Sequence, residues 1–138
     1  PSNVQYTSWM IEACAKGKPF TVWTVPETKV PVMYITEAAT ATVQLAQAPL
    51  ENIKMVNYLV DGQKPTPTAG DIADAVRARI PNAKIDFVPD PNIPALHGRS
   101  QSIDDSYARA EWGWQPTHSL PRMIDDFLAT LDVGDGLR

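Results

Sequence analysis

Residues 102–116 constrain this chain more than any other stretch, because a helix start, a helix stop and two aromatic anchors fall within fifteen positions. Asp104, Asp105 and Ser106 offer oxygen acceptors to the free N–H groups of a beginning helix, and their charge suits its positive end. Tyr107, Ala108 and Trp112 have spacings that share one helical face. Gly113 accepts the left-handed conformation that ends helices, and Pro116 prevents resumption. The expected product is a short helix pinned to a core by Trp112 and Trp114. Adjacent carboxylates at a helix start point in different directions, so Asp104 and Asp105 read as caps rather than as a catalytic pair.

The rest of the chain alternates helix and strand signals. Tyr6, Trp9, Met10, Ala13 and Cys14 recur at helical spacing and are stopped by Gly17. Residues 20–25 are β-branched and aromatic, and residues 30–35 read as a second strand. Thr36 is the expected cap of a helix over 37–48, in which Ala39, Val43 and Ala46 suit close packing. Residues 54–60 alternate as a buried strand that Asp61-Gly62 turns. Thr68, three residues before Asp71, forms a capping box for a helix over 69–80 with Ile72, Ala75, Val76 and Ile80 inward. A strand over 84–88 and a proline-rich loop over 89–94 lead to His97 and Arg99. A last helix from His118 or Ser119 turns Leu120, Met123, Ile124, Phe127, Leu128 and Leu131 to one side, and the polar tail after Asp132 is expected to fray. The order predicts an α/β arrangement of few strands with flanking helices, a single region over 1–138 that makes no complete wound sheet.

Several function classes are excluded. With 138 residues, 43% apolar and 20% charged, the composition is that of one globular domain. No apolar run is long enough for a membrane span, and the start has no secretory signal. It has no initiator Met either, which suggests a partial chain. The net charge of −4, with scattered Lys and Arg, argues against nucleic acid or an anionic membrane as the partner and leaves a small molecule open. The single cysteine, Cys14, forms no internal disulfide and favours an intracellular, cytoplasmic location; it reads as a small core residue. No Gly-x-Gly-x-x-Gly turn follows a strand, and His97 and His118 lack partners at metal-ligand spacing, so neither a cofactor-binding nor a metal site is expected. Both histidines read as loop or capping residues, and Asp125-Asp126 as a solvated face. Arg99, on a loop, has a guanidinium suited to a carboxylate or phosphate, or to tethering the loop itself.

The pattern Asp104-x-x-x-Ala108-x-x-x-x-Gly113-Trp114 resembles a signature near the C-terminus of extended short-chain dehydrogenases, the NAD-dependent epimerase/dehydratase family. Val4-Gln5-Tyr6-Thr7, Gly17-Lys18-Pro19-Phe20-Thr21, the run from Pro26 to Tyr34, Asn57-Tyr58-Leu59 and Ser102-Ile103-Asp104-Asp105-Ser106 are similar, within that family, to the C-terminal half of short-chain-type L-threonine 3-dehydrogenases. The resemblance implies the C-terminal substrate-binding portion of a Rossmann-like NAD(P)-binding fold, incomplete without its N-terminal half. That half would carry the glycine motif, the catalytic Ser or Thr and the Tyr-x-x-x-Lys pair. Tyr6 and Tyr34 have no Lys four residues on, so no catalytic residue is expected here. NAD would serve the intact parent, and this chain alone would bind none.

By position, Val4 and Gln5 fall where the family has a Thr-Asp pair beside the substrate, and Arg99 falls near a family Trp that closes over it. These three are the candidate substrate-binding residues, for a small molecule of the amino-acid class. Val4 cannot donate a side-chain hydrogen bond, which bears directly on substrate choice. Glu37 replaces a usual Asp. Two other readings are a nucleotide-sugar epimerase or dehydratase, with Arg99 on a phosphate, and a non-catalytic module that pairs with a separate Rossmann chain or with itself through open sheet edges.

Overall fold

The computed structural model describes residues 6–91 and 102–131, arranged as five helices and a two-stranded parallel sheet. Val4, Gln5, His97 and Arg99 lie outside the described residues. α1 (Tyr6–Ala15) buries Tyr6, Met10 and Cys14 of the expected face together with Ile11, while Trp9 and Ala13 stay partly exposed. β1 (Phe20–Val22) pairs with β2 (Ile85–Phe87) from Phe20 opposite Ile85 to Val22 opposite Phe87. Both strands are shorter than the sequence suggests. Beyond them the pairing continues as single bonds, Val88 N–H to the Val22 carbonyl at 2.9 Å and Asp90 N–H to the Trp23 carbonyl at 3.0 Å.

Between the strands lie α2 (Ile35–Gln47) and α3 (Ala69–Arg79). α3 starts with the expected capping box: Thr68 Oγ1 accepts from Asp71 N–H at 3.1 Å, and Asp71 Oδ2 accepts from Thr68 N–H at 2.8 Å. Its apolar face, with α1, both strands and Ile124 of α5 (Leu120–Leu131), builds the main core. Arg79 fixes the two helices to each other through Asp125, 2.8 Å away, so Asp125 is paired as well as exposed.

A second, smaller core surrounds α4 (Ser106–Trp112). Trp114 is buried there with Ala108 and Ala41, and Met33, Tyr58, Val60 and Trp112 pack around them. Gly113, at φ +76, ends α4 as its type predicts and brings Trp114 N–H to the Ala108 carbonyl at 3.2 Å. The Trp114 indole N–H then reaches the Asp61 carbonyl at 3.1 Å. Tyr107 departs from the expected face and stands 55% exposed. A seven-residue helix has room for one inward row, which Ala108 occupies.

Two expected strands are absent. Residues 30–35 are extended but make no ladder: Val30 N–H bonds the Pro67 carbonyl at 2.8 Å, and α2 begins at Ile35. Thr36 is therefore inside α2 and caps nothing; Tyr34 is the N-cap, its carbonyl accepting from Glu37 N–H at 3.0 Å. Residues 54–60 form no strand either. Lys54 and Met55 donate to the Tyr58 hydroxyl at 3.2 and 3.3 Å, and Lys54 N–H also donates to Glu111 at 2.9 Å. Alternating hydrophobicity reports a face to be covered, and no neighbouring strand among the described residues covers this one.

Candidate functional site

A groove of about 300 Å³ opens between α1, the extended residues 30–34 and α5. Ile11, Val32, Met33, Leu120, Met123 and Phe127 make it apolar, and Thr7 and Ser8 bring hydroxyls to its lining. Thr7 and Ser8 belong to the first turn of α1, which begins at the residue after Gln5. The candidate substrate residues Val4 and Gln5 thus run in sequence directly into the groove wall.

The end of the groove at Tyr34 is held by a polar clamp whose members, Glu37 and His118, the sequence named separately but did not bring together. Glu37, 3% exposed in the first turn of α2, accepts through one carboxylate oxygen from the Thr117 N–H, the Thr117 hydroxyl at 3.2 Å and the His118 N–H at 3.0 Å. The His118 ring sits 3.4 Å from Glu37 and 3.5 Å from Asp126, with its centroid 5.1 Å from that of Tyr34. Gln63 completes the clamp, donating to the His118 carbonyl and accepting from Leu120 N–H at 3.1 Å. Together these bonds set where α5 starts. His118 is a tether between α2 and α5, which sharpens its reading as a loop residue, and Asp126 faces His118 and Arg122 as well as solvent. One signal was present: Glu37 is the only charged side chain in α2.

Burial alone would push the Glu37 carboxyl up, yet the hydrogen bonds from Thr117 and His118 outweigh it and hold it below the ordinary glutamate value. A carboxylate depressed on folding contributes stability that is fully present above its unfolded pKa and fades as pH falls through the lower folded value. Glu37→Ala is therefore expected to lower the unfolding free energy by about 2–3 kcal/mol at pH 7. The difference from wild type should shrink below about pH 4, as measured by urea unfolding across a pH series.

The paired aspartates divide their roles. Asp104 is a cap, its Oδ1 accepting from Ser106 N–H at 3.0 Å, and this bond lowers its carboxyl. Asp105 corrects the expectation. At the N-cap position it makes no side-chain capping bond; its carboxylate is buried between Lys64 and Arg109, the latter at 2.8 Å. Two cations within reach from 64 and 109 give that oxygen pair stronger partners than a helix N–H. Gly62 lies against the same segment: a Cβ there would meet the Val32 carbonyl at 2.6 Å and the Met33 Cα at 2.7 Å. Close backbone approach, beyond a simple turn, is what requires glycine.

The titratable side chains of α1 named in the sequence, Tyr6 and Cys14, are buried and are not part of the groove lining. Tyr6 is buried, and burial pushes its hydroxyl up to about 12, so it stays protonated. Cys14 is buried in the main core with its thiol also pushed up by burial. Among the described residues no group of three His, Cys, Asp or Glu could hold a metal, and no helix is long and apolar enough to cross a membrane. β1 leads into residues 23–34, which hold no glycine, and not into a glycine turn that opens a helix.

No family model matches the chain. It is 31% identical over 104 residues to the mitochondrial L-threonine 3-dehydrogenase of Bos taurus, a match covering 75% of the chain and 27% of that protein. It superimposes on the holo form of a GalE-like L-threonine dehydrogenase from Cupriavidus necator with a TM-score of 0.83 and 33% identity, covering 94% of the chain and 42% of that structure. Its homologues are L-threonine 3-dehydrogenases of the epimerase/dehydratase type. An uncharacterised epimerase/dehydratase of Staphylococcus haemolyticus is 27% identical over 123 residues, 88% of the chain and 38% of that protein. The α/β architecture is thus part of a Rossmann-like dehydrogenase fold, and the chain spans less than half the length of each of these three proteins.

Proposed function

We propose that the chain is the substrate-side portion of an NAD-dependent oxidoreductase resembling L-threonine 3-dehydrogenase, which in the intact parent oxidises L-threonine to 2-amino-3-oxobutanoate. The observation that carries this is the superposition over 94% of the chain onto less than half of a threonine dehydrogenase. In this reading residues 1–138 form one substrate-binding region, and the cofactor site and catalytic Tyr-x-x-x-Lys belong to the rest of the parent. NAD, when bound there, would take the hydride from C3 of the substrate as the C3 hydroxyl gives its proton to a base. This chain binds, orients and encloses. The groove supplies apolar surface that excludes water, and Glu37, His118 and Gln63 keep its α5 wall in place.

Val4, Gln5 and Arg99 are the proposed substrate contacts. With Val4 in place of a hydroxyl residue, the site loses a polar partner and with it part of its discrimination. Arg99→Trp in the intact parent is expected to raise kcat/KM for L-threonine by about tenfold, the scale of one recovered contact of ~1.4 kcal/mol; no gain removes Arg99 from the site. Calorimetric titration of the isolated chain with NAD should show no binding, and micromolar affinity would overturn the division of labour proposed here. An uncharacterised epimerase/dehydratase among the relatives keeps a second reading beside the first, a nucleotide sugar held through Arg99 on a phosphate. Turnover of the parent on L-threonine against a UDP-sugar distinguishes the two.

A further inference from the structure

Glu37 holds its carboxylate where one basic group can answer it. The residue is buried, one oxygen takes the hydrogen bonds from Thr117 and His118, and the other, Oε2, is buried with no hydrogen-bond partner among the described residues. No Lys or Arg pairs with it there. The imidazole of His118 does lie within reach, its Nδ1 3.4 Å from Glu37 Oε1. A buried carboxylate gains from a counter-charge, and a protonated His118 is the group placed to supply it.

The other edge of the ring faces a second carboxylate. Nε2 lies 3.5 Å from Asp126, so the two ring nitrogens point at acids on two different helices, α2 and α5. A neutral imidazole carries one N–H and one lone pair. With the proton on Nε2, the Nδ1 lone pair faces Glu37 and competes with it for the Thr117 hydroxyl, which is 3.1 Å from Nδ1 and 3.2 Å from Glu37. With the proton on Nδ1, the Nε2 lone pair faces Asp126. The imidazolium alone donates in both directions, and it leaves the Thr117 proton to Glu37. The Tyr34 ring, 5.1 Å away and tilted by 33°, then adds the attraction of an aromatic face for a cation. The charged or titratable groups facing His118 are thus Glu37 from α2, Tyr34 from the extended segment and Asp126 from α5, the last shared with Arg122 at 3.7 Å. Gln63, which bonds the His118 carbonyl, is neutral.

We propose that His118 is a proton-operated latch that fastens the start of α5 to the start of α2 and so sets the wall of the groove. Leu120 and Met123, in the first turn of α5, and Tyr34, just before α2, all line that groove. A proton on His118 ties the three segments together. Its loss sets a lone pair against a carboxylate and frees the first turn of α5. Histidine is the side chain that ordinarily changes charge between about pH 5 and 8, so the latch works in that range. A base that gains partners by taking up a proton contributes stability that is full below its unfolded pKa, about 6.5, and fades as pH rises through its folded value. The latch acts on the groove whatever molecule fills it, so it does not depend on the substrate proposed above.

The test is amide exchange of the 138-residue chain at about pH 5.5 and about pH 8, corrected for intrinsic rates. The amides of Leu120 and Met123 are held by Gln63 and the Ser119 carbonyl at 3.1 and 3.0 Å. Protection of residues 120–124 is expected to fall about tenfold at the higher pH, the scale of one charge-assisted hydrogen bond, while α3, in the main core, changes little. His118→Gln should remove the difference. Asp126→Asn, at a side chain 41% accessible, keeps the shape of the residue and one of the two acids, and should reduce the difference to about threefold. The chain has two histidines, so His97→Gln is the control and should keep the full change. Equal protection of residues 120–124 at both pH values in the wild type overturns the latch. So does a tenfold change that survives in both His118→Gln and Asp126→Asn, or one that His97→Gln abolishes.

Discussion

Trp114→Ala is expected to lower the unfolding free energy by about 3–5 kcal/mol, the cost of emptying a large buried aromatic site. Trp114 is 1% exposed and is the largest fully buried side chain of the smaller core. Its removal leaves Ala41 and Ala108 facing a void that neither can fill, and leaves the Asp61 carbonyl without its indole donor. The Trp112 ring, 6.0 Å away, would lose its neighbour but keep its edge-on contact with Tyr58 at 5.9 Å. Urea unfolding followed by tryptophan fluorescence measures the effect. A change below about 1 kcal/mol, the range of a surface substitution, would show that the smaller core contributes little to holding α4 on residues 58–62.

Asp105→Asn is expected to cost about 2–3 kcal/mol at pH 7. Removing one partner of a buried pair costs more than that when the orphaned charge stays dry. Here Lys64 and Arg109 keep 45% and 36% of their side chains accessible, so water replaces part of what they lose. Burial pushes the Asp105 carboxyl up, but hydrogen bonds and charge from Arg109 and Lys64 outweigh it and hold the carboxyl below the ordinary aspartate value. A group depressed in this way contributes stability that is complete above its unfolded pKa, about 3.9, and is lost as pH falls through its folded value. The gap between wild type and Asp105→Asn should therefore be widest near neutrality and close below about pH 4. A gap that stays constant down to pH 2 would mean that the charge on Asp105 is not what the cations recognise.

Both substitutions act on the stretch that signals the fold most clearly in the sequence, and they separate what is local there from what is not. Gly113 and Trp114 behave as their chemistry predicts, because a left-handed helix stop and a large aromatic ring need little beyond their neighbours to define them. The capping box at Thr68 and Asp71, most of the inward rows of α1, α3 and α5, and the strand signals over 20–25 and 84–88 are legible for the same reason. Periodicity and capping act over a few residues, and a few residues of sequence suffice to show them.

Partners far apart in the chain are a different matter. Nothing near Asp105 announces that Lys64 will reach it from 41 positions away, and nothing near Glu37 announces Thr117 and His118, which lie 80 and 81 positions on. The segments at 30–35 and 54–60 carry strand chemistry, but a strand exists only when another strand pairs with it, and none among the described residues pairs with either. Local chemistry thus settled which residues form helices and, apart from the start of α2 and the face of Tyr107, where those helices begin and end and which side of each turns inward. The packing of distant segments settled the rest: a carboxylate that looks like a cap becomes the centre of a buried ion pair, and a strand-like run becomes an uncovered face. The reason is that desolvation and pairing depend on what surrounds a group in space, and only the folded chain supplies that surrounding.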